Sequence, residues 1–172
     1  MEFLSLAKQR CSVRKYKTDE IEKEKLDKIL EAARIAPTAA NAQSQRLLVI
    51  SSQEGKEKLS KGVNYHGAPV AIIVCGDHSD VFVRPFDKKD MVSVDATIVA
   101  DHIVLEAEDL GLSSCWLTYF DPEIIRNEFN IPSNLEPIAI IALGYADTEK
   151  ASPDRHSKDR KALESLVCYE TF

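Results

Sequence analysis

No stretch of this sequence is long enough and free enough of charge to cross a bilayer as a helix, so a helical membrane protein is excluded. Glycine is sparse, with six in 172 residues, and neither GxGxxG nor GxxxxGK[ST] occurs. The familiar glycine-rich nucleotide loops are therefore excluded too. The four cysteines, Cys11, Cys75, Cys115 and Cys168, form no CxxC pair and match no zinc spacing. Free thiols in a reducing compartment are expected, and no metal site. His66, His78, His102 and His156 show no metal-ligand pattern, and no Ser-His-Asp or Cys-His set can be assigned by spacing. Positive charge is in deficit, with 22 Lys and Arg against 28 Asp and Glu, a net charge of -6. An average surface of that sign attracts neither nucleic acid nor an anionic membrane, so neither is expected as a partner. Glu2 and the lack of an apolar stretch near the N-terminus fit a cytoplasmic protein rather than a secreted one.

The composition is that of an ordinary folded protein, 44% hydrophobic and 29% charged with only seven prolines. The length predicts one domain over residues 1–172. Against the acidic background, the scarce cations are clustered. Residues 8–17 hold Lys8, Arg10, Arg14, Lys15 and Lys17 with no acid, and a second group lies at Arg155, Lys158, Arg160 and Lys161. Two basic clusters on an anionic protein point to a site for a compact anion such as phosphate.

Helical and strand signals alternate with no internal repeat. A short helix is expected over 2–9, and a second opening on a capping box of Asp19 and Glu22, with Ile21, Leu26, Ile29, Leu30 and Ala33 at helical spacing, until Pro37 stops it. Strands are expected over 46–52, 69–75, 113–118 and 138–145, and a short, weak helix over 54–61. Residues 92–110 form the strongest helix, apolar on more than one face, with Gly111 to end it. Such a helix is expected to be buried between a sheet and a partner subunit. Asp121-Pro122 opens another helix, and Leu163, Leu166, Val167 and Tyr169 give the tail enough apolar surface to dock as a final strand or arm.

Taken in order, the segments Arg10–Tyr16, Ala36–Gln43, Leu110–Trp116, Glu136–Ala139 with Gly144-Tyr145, and Arg160-Lys161 resemble the nitroreductase family of FMN-dependent oxidoreductases across nearly the whole chain. That resemblance implies an α+β fold, a mixed and mainly antiparallel sheet flanked by helices, in an intertwined homodimer with FMN at its interface. It implies that Arg10 and Ser12, with Cys11 between them, grip the flavin phosphate, and that Arg14 lies near flavin N1 and the C2 carbonyl. A cation there favours the reduced, anionic ring. Pro37, Thr38, Ala39, Asn41 and Gln43 are implied to line the flavin edge from the partner subunit, where small side chains permit close approach. Thr118 and Tyr119 stand where the family commonly has glycine or an acidic residue and glycine, with a backbone N–H facing flavin N5. Lys158 and Arg160 close the phosphate site. Ser44-Gln45 departs from the proline and aromatic residue that often follow this glutamine. No protein side chain is expected to be a catalyst itself, since the flavin carries the chemistry. The implied reaction takes hydride from NADH or NADPH and passes it to a nitroaromatic, quinone or flavin acceptor by a ping-pong mechanism. The alternatives are a flavin-binding or regulatory protein with little turnover, or another flavin reaction such as dehydrogenation or reductive dehalogenation.

Overall fold

The chain alternates short polar turns with strands too apolar to leave in water, and these strands define the centre of the molecule. The structure, a computed structural model, describes residues 2–172. Four strands, β1 (Gln45–Ile50), β2 (Val70–Asp77), β3 (Ser113–Leu117) and β4 (Leu135–Gly144), form one antiparallel sheet in the order β1-β2-β4-β3. β2 is buried at every residue and β4 at every residue from Ala139 to Gly144, as two-sided burial of a continuous apolar run requires. Alternation along β2 sends Val70, Ile72 and Val74 to one face and Ala71, Ile73 and Cys75 to the other. β4 is longer than the sequence signal. It takes in Pro137, which sits where the register with β2 shifts between Val74 and Cys75, a bulge that tolerates the missing N–H.

Helices cover both faces. On one lie α1 (Phe3–Gln9), α2 (Lys23–Ile35) and α4 (Val92–Asp109); on the other lie α3 (Gln53–Ser60) and α5 (Pro122–Glu128). α4 packs across the sheet through Val92, Ala96, Val99, Ala100, Ile103, Val104 and Ala107. It can do so because residue 76 is glycine: a Cβ there would lie 2.4 Å from Val92 Cγ1. Gly111, at φ +76°, ends the helix in the left-handed conformation. Val94, Ile98 and Leu105 form a stripe on α4 that this chain leaves exposed or half-exposed. The helix is therefore buried on one side by the sheet and open on the other.

Two expectations are corrected. Asp19 does not cap α2, which begins four residues later with Glu22 at its N-cap, making no side-chain capping bond. The Glu22 carboxylate instead accepts from the Tyr145 hydroxyl at 2.5 Å, which in turn accepts from Lys25 Nζ at 2.7 Å, so a tertiary partner has displaced the local cap. The tail does not dock as a strand on its own chain. After α6 (Arg155–Asp159) it continues exposed, with Leu163, Leu166, Tyr169 and Phe172 all largely in solvent. By contrast Asp121 caps α5 as read, accepting from the Glu123 and Ile124 N–H groups at 3.0 Å.

Candidate functional site

The first basic segment is stitched to the open edge of the sheet. Val13 N–H donates to Ser114 O at 2.9 Å, and Ser12 bridges Ser114 in parallel. Further on, Tyr16 pairs with Ala146, and Lys17 N–H donates to Tyr145 O at 2.9 Å. An extended chain points successive side chains to opposite sides. Cys11 and Val13 are consequently buried against Ala68, Cys115 and Ala142, while Ser12 and Arg14 face solvent and Arg10 is half-buried; Tyr16, where the alternation breaks, is buried in the same cluster. The Cys11 side chain is core, so only its backbone remains to face a ligand. Burial and its neighbours push the Tyr16 hydroxyl well above its ordinary range, so it stays neutral, with its oxygen 3.4 Å from Ala142 O.

Arg10, Arg14, Lys158 and Arg160 make no ion pair and no side-chain hydrogen bond among the described residues. Lys15 differs, being paired with Asp147 at 2.8 Å. Two guanidinium groups with no partner among the described residues, that of half-buried Arg10 and that of exposed Arg14, and the hydroxyl of Ser12, which also bonds the Cys115 thiol, are donors suited to a phosphate dianion.

The small-residue loop lies elsewhere. Ala36 is extended, as a residue before proline must be, and ends α2. The chain then makes a tight turn over Ala39–Asn41; Ala40 and Asn41 within it and Gln43 just past it all have φ near +55°. For an alanine that conformation costs of order 1–2 kcal/mol, so something must hold it. Asp95, fully buried in the first turn of α4, supplies the hold: its carboxylate accepts the Ala39 N–H at 2.9 Å and faces the Ser44 hydroxyl at 3.4 Å. Thr38 Oγ1 accepts the Gln43 N–H at 3.0 Å, and Ser44 O accepts the Asp77 N–H at 2.8 Å. Asp77 is itself fixed. The Ser79 hydroxyl, then the Asn134 amide and the Ser79 N–H, with Arg46 adding its charge, hold its carboxyl down at about 2. Gln45, just past the loop, keeps its side-chain oxygen buried with no hydrogen-bond partner.

One chain does not bring the two segments together. Ser12 sits beside Ser114, just past the C-terminal end of α4, and the loop sits on Asp95 at its beginning. From Asp95 to Asp109 the helix rise alone is about 20 Å. Thr118, just past the end of β3, is exposed, and Tyr119 is 98% exposed, so its ring does not pack in the core. Trp116 and Phe120 pack against the core.

Three residues near these segments were not read as site residues from the sequence. Asp95 carried a signal that went unused: an acid on the apolar face of a helix, in step with Val92, Ala96 and Val99. Arg155 lay within the basic tail, but nothing local marked its contacts with Lys8 and Arg10. His66 occupies a left-handed turn at φ +60°. Burial lowers its imidazole pKa and the charge of Arg14 lowers it further, so it is neutral at pH 7.

A four-stranded antiparallel sheet between helical layers, with cations unpaired among the described residues near one end of its longest helix and a strained small-residue loop at the other, defines an α+β protein. The sequence matches the family model described as Nitroreductase family over residues 7–64 and 61–145. The chain belongs to the nitroreductase family. It is similar to a nitroreductase family protein of Clostridium difficile 630, with 52% identity, a TM-score of 0.98 and full coverage of both chains. An FMN-dependent nitroreductase of Clostridium difficile R20291 is 35% identical, with a TM-score of 0.80 over 98% of this chain and 99% of that one. A Methanothermobacter thermautotrophicus protein, whose name pairs NADH dehydrogenase with NAD(P)H nitroreductase, is 34% identical over 95% of this chain and 87% of its own. No helix among the described residues is long and apolar enough to cross a membrane.

Proposed function

We propose that the chain works as a single-domain, FMN-dependent oxidoreductase that passes hydride from NADH or NADPH to nitroaromatic, quinone or flavin acceptors, and that it does so as a homodimer in the cytoplasm. The observation that carries this reading is the pair of guanidinium groups of Arg10 and Arg14, without a partner among the described residues, beside Ser12 on a chain of this family. Its chemistry fits the phosphate of FMN, and the small side chains of the Ala39 loop fit the edge of a flat ring. One relative named above is FMN-dependent, and another has NAD(P)H in its name. When bound, FMN would supply the redox chemistry, the transfer of hydride between the nicotinamide and the second substrate.

The protein residues bind, orient and tune. Arg10, Ser12, Lys158 and Arg160 hold the phosphate, and Arg14 places a positive charge at the N1 side of the ring, favouring its reduced form. A backbone N–H of Thr118 or Tyr119 faces N5, since any residue but proline supplies that donor. Because the loop lies about 20 Å along α4 from the phosphate group, it serves a second copy's flavin, so a complete site takes Pro37, Thr38, Ala39, Asn41 and Gln43 from the partner subunit. The exposed stripe of Val94, Ile98 and Leu105 supports a subunit interface on that side of α4, and so do exposed Phe3 and Ile35.

The visible spectrum of the purified protein tests the reading. Oxidised flavin bands, bleached by NADH or NADPH and restored by a quinone, are expected. A colourless protein after supplementation with FMN would rule it out. Sedimentation at micromolar concentration should give a dimer, and an FMN-loaded monomer would contradict the shared site.

A further inference from the structure

The guanidinium of Arg155 makes four hydrogen bonds, all to main-chain carbonyl groups. Nη1 donates to Ala151 O at 3.1 Å and Ser152 O at 2.9 Å; Nη2 donates to Lys8 O at 3.1 Å and Arg10 O at 2.7 Å. The neighbouring His156 Nε2 lies 3.1 Å from Lys8 O and donates to it, because a carbonyl can only accept. Lys8 and Arg10 are at the C-terminal end of α1, where the last carbonyls have no partner inside the helix. A residue 145 positions away in sequence therefore completes this helix end.

Both Nη groups are fully committed, leaving only Nε–H. Arg155 is thus consumed by protein carbonyls, while Arg10, whose backbone it holds, keeps its own guanidinium free. Arg155 also belongs to α6, and the same five-residue helix carries Lys158 and delivers Arg160 as its C-cap. One side chain ties together the two chain segments, far apart in sequence, that supply the cations.

We propose that Arg155 is a positioning residue for the flavin phosphate: it fixes the Arg10 backbone and seats the α6 cations beside it. This rests on the assignment of Arg10 and Arg160 to that phosphate. Lysine cannot replace it, since one ammonium cannot bridge two pairs of carbonyls across a planar fork.

The test is titration of the full-length protein with FMN and with riboflavin, which has the same ring and no phosphate. Arg155→Ala should weaken FMN binding about tenfold and leave riboflavin within about twofold, the loss expected for a misplaced charge-assisted contact. Arg155→Lys should resemble the alanine variant. An unchanged FMN affinity overturns the proposal, and so does an equal loss for both ligands, which would mark a general structural role. Amide hydrogen exchange over residues 8–12 should be faster in Arg155→Lys, and unchanged exchange overturns the proposal even if Arg155→Ala folds poorly. Arg10→Ala separates the two levels of inference. If it leaves the FMN-to-riboflavin ratio at the wild-type value, the phosphate assignment itself falls. If it lowers the ratio while Arg155→Ala does not, only the role of Arg155 falls.

Discussion

Asp95 offers the most direct test of how the small-residue loop is held. Its carboxylate is fully buried, accepts the Ala39 N–H at 2.9 Å, and lies 3.4 Å from the hydroxyl of fully buried Ser44. Truncation to alanine removes one charge-assisted hydrogen bond worth about 1.5–3 kcal/mol and a long hydroxyl contact worth about 0.5–1 kcal/mol. Against this stands the relief of no longer burying a charge, which lowers the net cost. A loss of about 2–3 kcal/mol is expected for Asp95→Ala. For a chain of this size each kcal/mol moves the melting temperature by roughly 2–4 °C, so Tm should fall by roughly 5–10 °C. Asp95→Asn is the informative companion. Its side-chain oxygen can still accept from Ala39, so only charge assistance is lost, and the cost should be about 1 kcal/mol. Calorimetry or thermal circular dichroism reads both numbers. The loop should also loosen selectively: amides of residues 39–44 should exchange faster in Asp95→Ala than those of β2. If Asp95→Ala melts within about 1 °C of the parent, or if the asparagine variant is as damaged as the alanine one, the buried carboxylate does not anchor this loop and the reasoning fails.

Other perturbations probe the remaining parts. Arg10→Ala and Arg160→Ala should each weaken FMN binding roughly ten- to hundredfold, the loss of a charge-assisted bond to phosphate, and flavin titrations unchanged in both would remove these residues from the site. Tyr119→Ala should leave stability unchanged to within about 0.5 kcal/mol because the ring is already in solvent, while turnover with bulky quinones or nitroaromatics rises if the ring restricts their access; an unaltered acceptor profile would falsify that restriction. The Asp77 carboxyl, held down at about 2 by the Ser79 hydroxyl, Asn134 and Arg46, is depressed in the folded state. Its contribution to stability is therefore present above the unfolded value of about 4 and is lost as pH falls through the folded one. The Tm difference between wild type and Asp77→Asn should be full at about pH 5 and shrink toward about pH 2; a difference that stays constant over that range contradicts the linkage.

The sequence by itself determined the elements whose cause is local. The period of α4, the Asp121-Pro122 start of α5, the stop at Pro37 and the continuous apolar run of β4 could be read because a helix face, a cap and a two-sided strand each leave a pattern within a few residues. The cation cluster stood out for a different reason: residues 8–17 hold five cations and no acid on a protein of net charge -6. What only the tertiary structure decided was every choice that depended on a distant partner. Glu22 and Tyr145 meet across 123 positions and displace the cap expected at Asp19. Cys11 turns inward and Ser12 outward because Val13 is hydrogen-bonded to Ser114, and that pairing sets which alternate side chains reach solvent. Arg155 and Asp95 act on segments 145 and 56 positions away, through carbonyl and amide groups that every residue possesses and that carry no mark in sequence. Side-chain type is written along the chain, but the backbone groups that fix those side chains in place are identical everywhere, and only folding brings particular ones within hydrogen-bond reach.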